Sequence, residues 1–159
     1  MKNKIEIKDI YGKVLTTVQT DYNDLRGAYL RGAYLGGANL EGANLEGAKD
    51  IPVVAIETSR ILPEGDIIGY KKTREGIVKL LIPADAKRSH SFGRKCRAEY
   101  AKVLELPNGI TEATSSHDVF FKYRVGEIVR PELPFDENWL EECSTGIHFF
   151  ITRGEAERY

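Results

Sequence analysis

Cysteine is nearly missing from this chain: Cys96 and Cys143 are the only two among 159 residues. That scarcity excludes a small scaffold stapled by disulfides. With histidines only at His90, His117 and His148, it also leaves no recognisable zinc spacing, so neither a metal nor another cofactor is expected. Excess charge is missing too. The formal net charge is -1, whereas a dedicated nucleic-acid binder is usually basic overall, so no long nucleic acid is expected as a partner. No apolar stretch approaches the roughly 20 residues of a spanning helix, and Met1-Lys2-Asn3-Lys4-Ile5-Glu6 lacks the apolar core of a signal peptide. The expectation is a cytoplasmic protein with reduced thiols and no membrane partner. What is present, 42% hydrophobic and 30% charged residues, suits one ordinary folded domain or two small ones.

The strongest internal pattern is a five-residue period. Leu25, Leu30, Leu35, Leu40 and Leu45 recur, with Ala28, Ala33, Ala38, Ala43 and Ala48 two positions before each next leucine slot, and Gly27, Gly32, Gly37, Gly42 and Gly47 just before the alanines. Neither a 3.6-residue helix nor a two-residue strand period gives this spacing. A square coil does, because each five-residue side turns one corner and points its leucine and alanine inward. Leu25 to Ala48 resembles the pentapeptide-repeat family, motif A-(N/Y)-L-x-x. The resemblance implies a right-handed quadrilateral β-helix.

The run is short. At four sides per coil it makes little more than one turn, and solenoid units bury their core only by stacking on neighbours. The stub therefore needs caps. Upstream, Lys4 to Asp9 alternates, Tyr11-Gly12-Lys13 turns, and Val14 and Leu15 return, which predicts a covering hairpin. Val18 in an alanine slot and Leu15 in a leucine slot allow an earlier start to the coil. Downstream, Asp50 occupies a sixth leucine slot and Pro52 ends the run. Some members of the resembled family are long acidic rods that mimic duplex DNA. A stub about 6 Å long, with Arg26, Arg31, Tyr29, Tyr34, Asn39, Asn44, Glu41 and Glu46 mixed on its outside, does not fit that role. A scaffold or homo-oligomerisation element does.

Residues 1-50 thus form one expected domain and 51-159 a second, mostly β (α+β) domain. Val53 to Ile56, Ile67 to Lys72, Ile77 to Ile82, Arg94 to Leu106, Val119 to Tyr123, Glu127 to Val129 and Ile147 to Ile151 read as strands. Turns are expected at Pro63-Glu64-Gly65-Asp66, Thr73-Arg74-Glu75-Gly76 and Pro107-Asn108-Gly109. Pro83 to Gly93 reads as a polar loop and Asp136 to Glu142 as a loop or short helix. Thr152-Arg153-Gly154-Glu155 is a capping box opening a C-terminal helix through Tyr159. In the Arg94–Leu106 strand, alternation puts Cys96, Ala98 and Tyr100 on one face and Lys95, Arg97 and Glu99 on the other.

Three motifs carry a second resemblance: Ile77-Val78-Lys79-Leu80-Leu81-Ile82-Pro83; Lys95-Cys96-Arg97-Ala98 with Ala101-Lys102-Val103-Leu104; and Glu142-Cys143-Ser144-Thr145-Gly146-Ile147-His148-Phe149-Phe150. Through them Gly69 to Tyr159 resembles the uncharacterised domain that follows short pentapeptide runs in phage and other viral proteins. The third motif is also similar to the Cys-Ser-x-Gly-Leu-His segment of another phage domain family. The resemblance implies a viral context and no particular chemistry. The segment around Ser144 to Phe150 is further similar to the Gly-Ile-Tyr-Phe-Ala segment of ADP-ribosyltransferases, which lines an NAD pocket. That family's His motif and catalytic Glu have no counterpart in register, so the likeness implies an adenine-nucleotide cradle and not a transferase.

Charge is unevenly spread within this half. Tyr70 to Lys102 holds ten Lys or Arg against three acids, and Pro131 to Tyr159 seven acids against two Arg. The two stretches pair with each other, or else the basic one binds an anion. Lys87, Arg88, Arg94, Lys95 and Arg97 flank one loop containing Ser89, Ser91 and Gly93, and arginine forks with lysine point charges suit a phosphorylated small ligand such as a nucleotide. His148, beside Phe149 and Phe150, is a core or interface histidine and the best acid/base candidate, because imidazole titrates near neutrality. His90 and His117 are expected exposed in loops, and Cys96 in the core. Cys143 has no third group to orient a partnering His148. The expected function is a non-enzymatic phage-type binding protein that sequesters a nucleotide defence signal. The alternatives are a nucleotide-processing enzyme using His148 and a purely structural protein.

Overall fold

The computed structural model describes residues 2–9, 11–31, 33, 35, 38, 40, 43, 45, 48–52, 61–91 and 93–159. The chain divides into two compact units. One comprises Met1–Ile61, His90–Arg94 and Asn138–Glu142, the other Leu62–Ser89, Lys95–Glu137 and Cys143–Tyr159. Both C-terminal insertions into the first unit, at residues 90–94 and 138–142, fall in segments without regular strand periodicity.

In the first unit, β1 (Asn3–Lys8) and β2 (Val14–Thr20) form the expected antiparallel hairpin. Asp9 Oδ1 accepts from the Tyr11 and Lys13 amides and organises its turn, and Gly12 there takes φ +83. Leu15 and Val18 belong to β2, so the coil does not start early. Val18 and Ile7 instead join a buried cluster with Leu25, Ala28, Leu30, Leu35, Leu40, Leu45 and Ala48. Each Leu carbonyl of the run accepts from the Ala amide three residues on, from Ala28 N to Leu25 O through Ala48 N to Leu45 O. Tyr29 and Lys49 make a parallel bridge. Trp139 and Leu140 pack against the leucines, which places residues 138–142 there as an irregular strap and not as a helix. The expected strand Val53–Ile56 and the outward positions Tyr34, Asn39, Glu41, Asn44 and Glu46 lie outside the described residues.

In the second unit, β3 (Ile67–Lys72) and β4 (Ile77–Ile82) have the expected bounds. The polar segment after Pro83 holds an unexpected strand, β5 (Arg88–His90). The long strand expected over 94–106 is two strands in different sheets, β6 (Cys96–Ala98) and β7 (Ala101–Glu105). A 3-10 turn at Pro107–Gly109 follows. Then come β8 (Ala113–Thr114), absent from the sequence reading, β9 (Lys122–Tyr123), β10 (Ile128–Val129), β11 (Ile147–Phe149) and the helix α1 (Arg153–Arg158). The larger sheets run β10-β7-β4-β3 and β11-β6-β5, joined by the antiparallel Tyr70–Phe150 bridge. Among the described residues the architecture is mostly β, with a C-terminal helix and several small sheets.

Val78, Leu80, Ile82, Cys96, Ala98, Ala101, Val103 and Phe149 are buried. Gly69 is needed for close packing: a Cβ there would sit 2.6 Å from Phe149 Cδ2 and 2.8 Å from Ile82 Cδ1. The capping box at α1 is complete, Thr152 Oγ1 accepting from the Glu155 amide and Glu155 Oε2 from the Thr152 amide. Among the described residues no helix is long and apolar enough to cross a membrane.

Candidate functional site

Strand alternation puts Ile67, Gly69 and Lys71 on one face of β3. The first two face the core, so Lys71 extends along a buried side and is itself half-buried. It lines a cleft of about 490 Å³ with Lys95, Ser115, Phe121, Tyr123, His148 and Tyr159, among others. That size is within the range of small-molecule sites. The cleft lies within the second unit. Burial and the neighbouring Lys95 ammonium push Lys71 down to about 8. Among the described residues, no hydrogen bond or ion pair holds the Lys71 ammonium. Other lysines of this unit are paired: Lys79 with Glu105, Lys87 with Glu137, Lys122 with Glu112.

Lys95 Nζ donates to Cys143 Sγ at 3.1 Å and stands 5.6 Å from the centre of the Tyr159 ring. Cys143 is exposed, Cys96 buried. The His148 Nε2 lies 2.9 Å from the Ser144 carbonyl. A carbonyl only accepts, so Nε2 carries the proton and Nδ1 the lone pair. Burial first, then Lys71, Lys95 and Arg97, push His148 down to about 4, against the raising effect of the Ser144 carbonyl. The imidazole is therefore neutral at pH 7. Burial likewise raises the Tyr123 phenol, keeping it protonated. Ser144 Oγ donates to Asp136 Oδ2 and Thr145 Oγ1 to the Pro134 carbonyl, whereas Ser115 Oγ accepts from the His117 amide and keeps its proton to give. Of the acids lining the cleft, Glu132 is exposed, and Asp118 Oδ1 accepts from the Phe120 amide.

The six basic residues singled out in the sequence have different fates. Lys95 and His148 line the cleft. Arg97 is 1% exposed, against the outward position that alternation implied. Its Nη1 donates to the Asp136 and Thr145 carbonyls, and the guanidinium lies 5.3 Å from the Phe135 ring centre. Those bonds compensate the burial of its charge. Arg88 donates to the Gly65, Pro83 and Ala84 carbonyls and ties two turns together. Lys87 is exposed and paired with Glu137, the bridge raising its proton affinity. Arg94 is half-buried in the first unit. His90, expected to be exposed, is half-buried in β5, where its Nε2 accepts from the Ile61 amide at 3.2 Å. Lys71 was counted in the basic stretch but not singled out. Its signal was the inward register it shares with Ile67 and Gly69.

Among the described residues no group of three or more His, Cys, Asp or Glu is placed to hold a metal ion. No curated protein and no solved structure matches the chain. Two family models do: pentapeptide repeats over residues 24–49, and over residues 58–156 a family of unknown function, DUF5758. The second match spans most of the chain and all the cleft residues except Tyr159, and the chain belongs to that family.

Proposed function

We propose that the protein is a binding protein for a small, ring-bearing anion, a nucleotide being the best fit, held in the cleft of the second unit. The observation that carries this reading is the half-buried Lys71 ammonium, which no described carboxylate or carbonyl holds. A cation removed from water without a partner is costly, and a phosphate entering beside Lys71 and Lys95 removes that cost. Phe121 and Tyr159 offer ring surface to a base. Ser115 offers a hydroxyl donor, and Asp118 and Glu132 offer acceptors for sugar hydroxyls. The basic-loop version of the site gives way to a cleft version, because Arg88 and Arg97 are committed to backbone carbonyls.

Catalysis by His148 is the weaker reading. A base with a pKa near 4 is poorly matched to proton transfer at pH 7. The repeat is read as a scaffold made of about one β-helix coil. In support, Leu30 N donates to Lys49 O and Lys49 N to Ala28 O, a separation of about four pentapeptides, the length of one square turn. Within that reading, sequestration of a nucleotide signal in a viral context is the expected biological use.

Titration calorimetry against pyrophosphate, ADP, NAD and a set of cyclic nucleotides tests the binding. At least one should bind wild type, and Lys71→Met should lose it while melting no lower than wild type at pH 7. Silence across the whole set would sink the reading.

A further inference from the structure

Among the described residues, nothing in the cleft engages the Lys71 amine. Lys95 donates to Cys143 Sγ and leans on Tyr159, and His148 is fixed on the Ser144 carbonyl. The nearby Lys72 Nζ reaches the Glu157 carbonyl. An amine attacks a carbonyl only through its free lone pair, so a partnering carboxylate, which holds the proton in place, suppresses the reaction. A second ammonium and a dry wall promote it. Lys71 shares its cleft with the second ammonium, Lys95, and the wall, Phe121 and Tyr123, and among the described residues no carboxylate pairs with it.

Building on the anion-binding reading, we propose that Lys71 is a carbonyl-reactive residue that forms an imine with an anionic aldehyde or ketone, whose charged end Lys95 holds. The Lys71 nitrogen lone pair forms a C–N bond to the carbonyl carbon, the carbonyl π pair moves to oxygen, and a proton passes from nitrogen to that oxygen, giving a carbinolamine. The nitrogen lone pair then forms the C=N bond as the C–O bond breaks. The hydroxyl leaves as water with a proton, and the nitrogen's second proton is lost, so amine and carbonyl become imine and one water. Water entering the cleft exchanges these protons, with the neutral His148 Nδ1 a hydrogen-bond acceptor on its wall. The fraction of Lys71 that is uncharged at neutral pH exceeds that of an ordinary lysine.

The full-length protein is treated with pyridoxal phosphate and then borohydride, and labelled lysines are located by peptide mass spectrometry. Lys71 should be labelled at least ten times faster than the exposed Lys72 and Lys102, and excess pyrophosphate should slow it. Labelling spread over the lysines in proportion to exposure overturns the proposal. Calorimetry with pyrophosphate on the same samples separates the two readings. Binding to wild type that is lost in Lys71→Met, with no preferential labelling, leaves the anion site standing and removes only the imine. Loss of both removes both.

Discussion

The two units reach a buried core by opposite routes. In the first, one short word is repeated, and the same two side chains, leucine and alanine, fill the interior at every fifth position. Each turn is closed by the same local bond between an Ala amide and a Leu carbonyl three residues back. In the second, no period survives for more than six residues, and the folded state depends on single long-range ties. Arg97 is the clearest of these, reaching two carbonyls of the 136–145 segment. Repetition leaves little room for exceptions, because a lysine in a leucine slot would break the buried cluster. The irregular unit tolerates an inward lysine, and that exception gives its cleft a cation that no described group pairs.

Substitutions at the leucines and at Arg97 probe this contrast. Leu35→Ala empties a slot that is 2% exposed and should cost about 3 kcal/mol, read by chemical denaturation. Arg97→Ala should cost nearly as much, about 2–3 kcal/mol, since it removes a fully buried side chain and strips two half-buried carbonyls of their donor. Arg97→Lys should recover only part of the loss, because an ammonium lacks the planar fork. If Arg97→Ala proved harmless, the account of the second unit as held by single ties would fail.

Lys71→Met should act the other way around, weakening binding without weakening the fold. Affinity for pyrophosphate should drop at least tenfold. Its signature in stability is a pH effect. The folded protein holds Lys71 at about 8 against the ordinary 10.5, so between those values the unfolded chain carries more protons and wild-type stability rises with pH. The Met variant should lack that alkaline rise. It should keep the loss of stability as pH falls from 6.5 to 4, where the unfolded chain protonates His148 before the folded one does. The smallest effect is at the end of the chain, where Thr152→Ala removes the α1 cap and should cost about 1 kcal/mol.

Much of the fold was legible because its signals are local. The hairpin, the buried leucine run, β3, β4 and the capping box each rest on a pattern completed within a few residues. β5 and β8 were not legible, since two or three residues cannot display a period. Nor was the break between β6 and β7, where Glu99 and Tyr100 leave the sheet without a proline or glycine to announce it. Arg97 was misplaced because alternation assigns a charged side chain outward, while the carbonyls that hold it inward come from residues 39 and 48 positions away. The site was half legible. Lys95 and His148 stood in motifs that drew attention, but Lys71 showed only as one more charge in a basic stretch.

The most direct measurement is the NMR titration of the lysine side chains, followed at Cε with and without pyrophosphate. The account predicts one lysine resonance, absent in Lys71→Met, that titrates near pH 8 in the free protein and moves toward the ordinary lysine range when the anion is present. If every lysine titrates in the ordinary range and none moves on adding the anion, the unpartnered ammonium is not there and the cleft is not an anion site.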